Sequence, residues 1–420
     1  MKIGTAKRNV STELPIHLSG FGNPNRKFTG KYDDIFVRAT AISGDKTVII
    51  VSADVLAFNK DILEETSTLI TEKTGVPKEA ILYNASHTHS APQVSPTVNP
   101  GIGAYVKEYA DFFYASVVDA AVEAYNDMEE GTLAYSVATV ENIGVNRRLI
   151  VDGKYYFAPN FNGLINKEVT VLRAECGGKL KAIIMQYACH PSTIGEDLMT
   201  SDYPGYACAL LEKENPGTNV QFLQGCAGNI RVRTVNPAGT GFGKASYDDV
   251  KNFGTILHNA VNASAGAPQI TVSDAVSYCK DEFFISYQPK LSKQEYLEQA
   301  NNAGSQTEKI AALKYYEEYE TYPDGIGYSV QKITLGDSLV IFALEGEVCI
   351  EYDFNIKNLI PGKHVVVCGY SNGMPGYICT EQMYTEGGYE PVRSCMCYYV
   401  RGGFDPKTDA LILSHVRKMI

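Results

Sequence analysis

The chain reads as an α/β protein: one large domain, residues 1–420, in which mixed β-sheets are flanked by helices. Three observations predict this. Continuous apolar runs such as "TVIIVSADVLAF" (47–58) and "KAIIMQYACH" (181–190) suit strands covered on both faces. Segments with apolar residues at helical spacing alternate with them. No internal repeat, low-complexity stretch or Pro/Gly-rich linker divides the 420 residues.

The elements follow in order. Asn59 is placed to cap a helix, "KDILEETSTLITEKT", that carries Ile62, Leu63, Leu69 and Ile70 at helical spacing and stops at Gly75. "EAILYNAS" is the next strand. Strand–helix–strand units build parallel sheets, and ligands gather beyond the carboxyl ends of such strands. Residues 103–127 form a second helix, with Tyr105, Tyr109, Phe112, Phe113 and Val117 on its core face. "TLAYSVATVENIGVN" and "EVTVLRAE" read as strands, and "NRRLIVDGKYYFAPNFNG" between them as a polar loop. "SDYPGYACALLEKEN" starts a helix, and "NVQFLQGCAGNI" is a strand entering a Gly-rich turn. Residues 291–320, charged and broken by "NNAGS", form a peripheral helical excursion. "SVQKITLGDSLVIFALEGEV" is a hairpin whose second strand ends on Glu347, and "DALILSHVRKMI" is a terminal helix.

Composition narrows the function. Net charge is −11, from 37 basic and 48 acidic residues, which argues against general nucleic-acid binding. No apolar run approaches the ~20 residues of a membrane span, so no stable membrane insertion is expected. The start, "KIGTAKRNVSTELPIHL", lacks the apolar core of a signal peptide. The ten cysteines include no CxxC pair and read as reduced thiols, so the expected setting is the cytoplasm.

Chemistry concentrates where apolar strands end. "NASHTHSAP" (84–92) holds two of the seven histidines, His87 and His89. Residues i and i+2 of a strand share a face, so the two rings can reach one point. His190 ends another apolar run in "CHPST", and Glu347 a third in "EGEV". Histidine nitrogen and carboxylate oxygen are zinc ligands, and a catalytic site leaves one position for water. Taken singly, each has a plainer reading: a polar turn, a hydrogen-bonded core histidine, a surface charge.

These motifs resemble, in order along the chain, the neutral (non-lysosomal) ceramidase family. "NASHTHSAP" resembles its histidine signature, "IGTAKRNVSTELPIHLSGFG" its opening, and "DDIFVRATAI…TVIIVSADVL" the region that follows. "VNRR" (145–148), "CHPST…TSDYPGYA", "EGEV" and "GMPGYICTEQMYTEGGYE" resemble later segments, the last with its paired tyrosines at Tyr377 and Tyr389. The resemblance implies one zinc ion per chain held by His87, His190, Glu347 and Tyr377. It implies catalytic places for His89, Tyr389 and Arg147, and cleavage of an amide, or an ester, by metal-activated water.

The chain departs from that family at one place. The family carries a serine in a Gly-Asp-x-Ser-Pro segment, and here "GCAGNIRVR" stands there, with Asn229 for the aspartate and Arg231 for the serine. Arginine suits bidentate binding of carboxylate or phosphate. Arg231, Asn229 and Arg148 are therefore the residues expected to bind a small, soluble substrate, anionic or N-acylated; the plainer reading is that the loop has moved and Arg231 pairs with an acidic neighbour. The family's C-terminal immunoglobulin-like domain is not expected here. Two other readings remain: a metal-containing binding protein without catalysis, and a thiol hydrolase using Cys226, with Cys189 as a second candidate.

Overall fold

The computed structural model describes residues 1–13, 16–23 and 26–420. Leu14 and Pro15, inside the opening stretch quoted above, lie outside them. The largest sheet runs in the order Asn219–Gln224, Lys179–Tyr187, Glu168–Cys176, Glu129–Thr139, Lys2–Asn9, Phe36–Ser43, Thr47–Ala53, Ile81–Ala85. It is mixed. Thr47–Ala53 and Ile81–Ala85 pair in parallel, as do Lys179–Tyr187 and Asn219–Gln224, while the strands between are antiparallel. A second sheet contains Val276–Ser286, Gly325–Leu335, Leu339–Leu344 and His364–Cys368. Ile49, Ile50 and Val51 are wholly buried, as a strand covered on both faces requires.

Helix signals held. Asn59 accepts from the Ile62 amide at 3.0 Å and Gly75 closes helix Lys60–Thr74 in the left-handed region, φ +75°. The second helix spans Lys107–Asn126, but Phe112 faces solvent rather than the core. Among the described residues no helix is long and apolar enough to cross a membrane.

Three readings need correction. The run 47–58 is strand only to Ala53, and the rest is buried loop. "NRRLIVDGKYYFAPNFNG" is no loop: it forms a hairpin of Gly144–Val151 and Lys154–Asn160, with Ile230–Val232 as third strand. Its turn is Asp152-Gly153, both at positive φ (50° and 73°), the backbone a two-residue hairpin needs. Glu347 does not end the long strand. A turn at Gly346 (φ +88°) separates it, and Glu347–Val348 pairs in parallel with Tyr377–Ile378, setting Glu347 directly beside Tyr377.

The two ends of the large sheet curl together, and buried amides bind them. Asn84 donates to the Gln224 carbonyl (3.2 Å) and accepts from the Gln224 amide (2.7 Å). The Gln224 side chain donates to the carbonyls of Ser86 (3.0 Å) and Cys189 (2.9 Å). It thereby ties the loop of His87 and His89 to that of His190, although the two are about a hundred residues apart. Each such bond contributes about 1 kcal/mol net, yet leaving either buried amide unpaired would cost more.

Candidate metal centre and active site

His87, His89 and His190 converge, with their candidate ligand atoms all within 4.8 Å of one another. The convergence does not come from strand alternation. The strand ends at Ala85, and His87 adopts φ +68°, a strained conformation for a non-glycine residue. This bend brings the His87 and His89 rings to 4.8 Å, nearly perpendicular.

Tautomers follow from the carbonyls behind the rings. His87 Nδ1–H donates to Leu56 O at 2.7 Å, and His190 Nδ1–H to Ala227 O at 2.7 Å. Both Nε2 lone pairs must then point inward. There they meet the same carboxylate oxygen: Glu347 Oε2 lies 2.9 Å from His190 Nε2 and 3.2 Å from His87 Nε2. Two lone pairs and a carboxylate oxygen at this range call for a cation between them. The donor set therefore fits a divalent metal of the zinc class. Burial would raise the Glu347 pKa, and only positive charge at His87 and His190 turns the shift well below its ordinary range; with neutral rings that charge would be the ion's. Burial, then the Arg147 charge, pushes His190 down to about 4, so its ring is neutral at pH 7. Tyr398 donates to the other Glu347 oxygen, fixing its orientation.

His89 differs. Its Nε2 lies 3.1 Å from His87 Nε2, but its Nδ1 is buried with no hydrogen-bond partner. With the His87 Nε2 lone pair as acceptor, His89 Nε2 carries the proton of that contact and its Nδ1 is the lone pair. Burial, with His87 and His190 beside it, keeps its pKa well below the usual value.

Tyr377 Oη lies 3.5 Å from His190 Nε2 and accepts from Arg147 Nη2 at 2.9 Å. Arg147 is held in turn by Glu390, Nε to Oε1 at 2.8 Å. The Tyr389 ring stands edge-on to Tyr377 with centroids 5.7 Å apart. A cavity of about 230 Å³ opens beside these groups, lined by His89, Glu347, Tyr377, Tyr389 and Arg393 among others. Ser305 and Thr307 line it too, and Asn99 donates to Thr307 O at 2.9 Å. The excursion at 291–320 is thus more than peripheral: the turn between its helices, Lys293–Asn301 and Gln306–Glu317, walls the site.

Two expected substrate-binding residues are engaged otherwise. Asn229 is wholly buried, donates to both Glu351 oxygens (3.1 Å each) and accepts from the Ile350 amide at 2.8 Å. It ties the Gly-rich turn to helix Glu351–Lys357. Arg148 donates to Glu390 (2.6 Å) and Glu386 (2.9 Å), anchoring the loop that presents Tyr389. Arg231 stacks on Phe242, 4.6 Å from its centroid, and burial followed by the Arg147 charge lowers its pKa to about 10. Cys226 is wholly buried against Val367 O, away from the imidazoles, and burial raises its thiol well above the ordinary value. Burial likewise raises Cys189. Neither is an activated thiolate. Iodoacetamide applied to the folded protein is expected to leave turnover intact, and parallel loss of activity and of one thiol would revive the thiol reading.

Sequence reasoning missed Glu390, Gln224 and Tyr398. Glu390 adjoins the quoted tyrosine but carried no signal of burial, and Gln224 sits inside an apolar run where a glutamine is anomalous. That anomaly was the available clue.

Glu351 allows a stability test. Burial chiefly raises its pKa to about 7, against 4.5 ordinarily. The folded state therefore holds a proton that the unfolded state releases, and stability falls as pH rises from about 4.5 through 7. Glu351→Gln should match the wild type at pH 4 and exceed it by about 1–3 kcal/mol at pH 8, measured by urea unfolding.

Fold and site together define an α/β protein with a buried histidine–carboxylate centre of the metal-binding kind. The family model "Neutral/alkaline non-lysosomal ceramidase, N-terminal" matches residues 2–270, and the chain belongs to that family. Neutral ceramidases of Drosophila melanogaster and Drosophila pseudoobscura pseudoobscura are each 25% identical over 233 residues. Those matches take in 51% of this chain and 32% of each relative, so the chain spans about a third of their length. The crystal structure of neutral ceramidase from Pseudomonas aeruginosa superposes with a TM-score of 0.78, at 17% identity, over all of this chain and 73% of that one. A ceramidase complexed with C2 gives 0.79, also at 17%, over 74% of its length. At that identity the likeness shows the fold.

Proposed function

We propose that this chain is a zinc-dependent hydrolase that cleaves an amide, or an ester, in a small molecule. The observation that carries the reading is the inward pair of Nε2 lone pairs, His87 and His190, meeting one Glu347 oxygen. His87, His190, Glu347 and Tyr377 would hold one ion. When bound, such an ion supplies Lewis-acid polarisation of a carbonyl oxygen and a lowered water pKa.

The remaining work falls to the chain. Glu347, oriented by Tyr398 on one oxygen, presents the other to His87 and His190. Tyr389 keeps its proton because burial raises its phenol, and burial acts on the Tyr377 phenol in the same direction before any ion binds. The two phenols can donate hydrogen bonds to an oxyanion developing on the scissile carbonyl. His89, which lines the cavity, carries the proton to the departing amine. Arg147 holds the Tyr377 hydroxyl in place. The cavity of about 230 Å³, with the 305–307 turn as one wall, supports a small substrate.

The test is hydrolysis of a panel of N-acyl compounds and esters by zinc-loaded protein, with and without a chelator. Turnover that stops with chelation and returns with zinc is the expected result. Full zinc occupancy with no turnover of any member would favour the metal-containing binding protein.

A further inference from the structure

Arg147 and Arg231 lie on one face of the small sheet. Arg231 pairs with Val145 across the antiparallel ladder, and Arg147 follows two residues later on the same strand. The two are diagonal neighbours, about 7–8 Å apart along the sheet. Their guanidinium groups flank one aromatic cluster. Arg147 lies over Phe157 and Tyr389, Phe157 meets Phe242 edge-on, and Arg231 lies over Phe242. Arg233 continues the row outward, exposed, over Phe161.

The row is unequally neutralised. Arg147 has Glu390. Arg231 has no carboxylate within ion-pair distance among the described residues, and its Nε is buried with no hydrogen-bond partner. Among the described residues Arg233 donates to the neutral Asn142 side chain, at 2.9 Å, and forms no ion pair. A largely buried guanidinium without a counter-ion is destabilising by itself, and an anion that completes its donor set relieves that cost. Such an anion would come from outside the chain.

We propose that Arg231, with Arg233 at the rim, binds the carboxylate of the substrate, so that the compound cleaved is an N-acyl amino acid. The inference rests on the hydrolase reading and deepens it. Water adds across the amide C–N bond, giving a carboxylic acid and a free amino acid whose carboxylate stays on Arg231. A single planar fork matches a carboxylate, and the rings of Phe242, Phe157 and Tyr389, in contact one with the next, lead from Arg231 to the cavity that Tyr389 lines.

The experiment compares matched pairs, an N-acetyl amino acid and the same compound with its carboxylate replaced by a neutral carboxamide. The ratio of kcat/KM between them is measured for wild type, Arg231→Leu and Arg231→Lys. The expected ratio favours the carboxylate, falls at least ~30-fold in the leucine variant and is partly retained by lysine. A ratio near one in the wild type, or one unchanged in R231L, overturns the proposal while turnover itself upholds the hydrolase. If neither compound is cleaved while other members of the N-acyl and ester panel are, the proposal is overturned and the hydrolase stands; if no panel member is cleaved, calorimetric binding of N-acetylglycine decides. Affinity reduced ~30-fold in R231L sustains the carboxylate site, whereas no binding, or equal binding to both proteins, overturns it. Tighter binding of inorganic phosphate than of N-acetylglycine would also overturn it, in favour of a phosphate site.

Discussion

Replacing His190 by alanine is expected to cost the protein its metal and at least ~10³-fold in kcat/KM on any substrate it cleaves. The physical case is specific. His190 is wholly buried, its Nδ1 proton is committed to the Ala227 carbonyl, and its Nε2 faces Glu347 at 2.9 Å. Alanine removes one ligand and leaves the Glu347 carboxylate buried beside His87 alone. His87→Ala should behave alike, because His87 Nε2 reaches the same oxygen. Mass spectrometry of the purified proteins is the check. About one zinc per wild-type chain, absent from both variants, is the expected count. Unchanged zinc in either variant would place the metal elsewhere and sink the assignment.

Glu390→Ala should have the largest effect on stability. This side chain is fully buried and is shared by two guanidinium groups, Arg147 on one oxygen and Arg148 on the other. Truncation strands Arg147 without a counter-ion and leaves Arg148 only Glu386, so a loss of about 3–5 kcal/mol is expected. Activity should fall as well, because Arg147 carries the Tyr377 hydroxyl. Glu390→Gln keeps the shape and one acceptor, so its loss should be smaller. Urea unfolding curves for the three proteins decide the matter. A midpoint displaced by less than about 1 kcal/mol in the alanine variant would mean that the arginines find other partners.

Much of the site was legible because chemistry sat at strand ends. His87, His89 and His190 each follow an apolar run, and such runs end near one another in a sheet whose edges curl together. Glu347 was legible for the same reason, although the turn at Gly346 moves it to a separate short strand beside Tyr377. The Arg147–Arg148 hairpin reads as a loop because its polar and aromatic residues mask the alternation. The Asp152-Gly153 turn signal was present and went unused. Asn229 and Arg148 were expected at the substrate because position in a motif says nothing about which partners a side chain meets. Glu351 and Glu390 met them first.

By itself, then, the sequence determined the α/β class, the helix caps and the order of the chemical groups, since propensity, periodicity and capping act within a few residues of chain. The tertiary structure alone decided the partners. Arg147 meets Glu390 across 243 residues, and His190 meets Glu347 across 157. It also decided that Arg231 meets no carboxylate among the described residues. Contacts of that range follow from how sheets curl and pack, and a buried charge acquires or lacks its counter-ion only when that packing is complete.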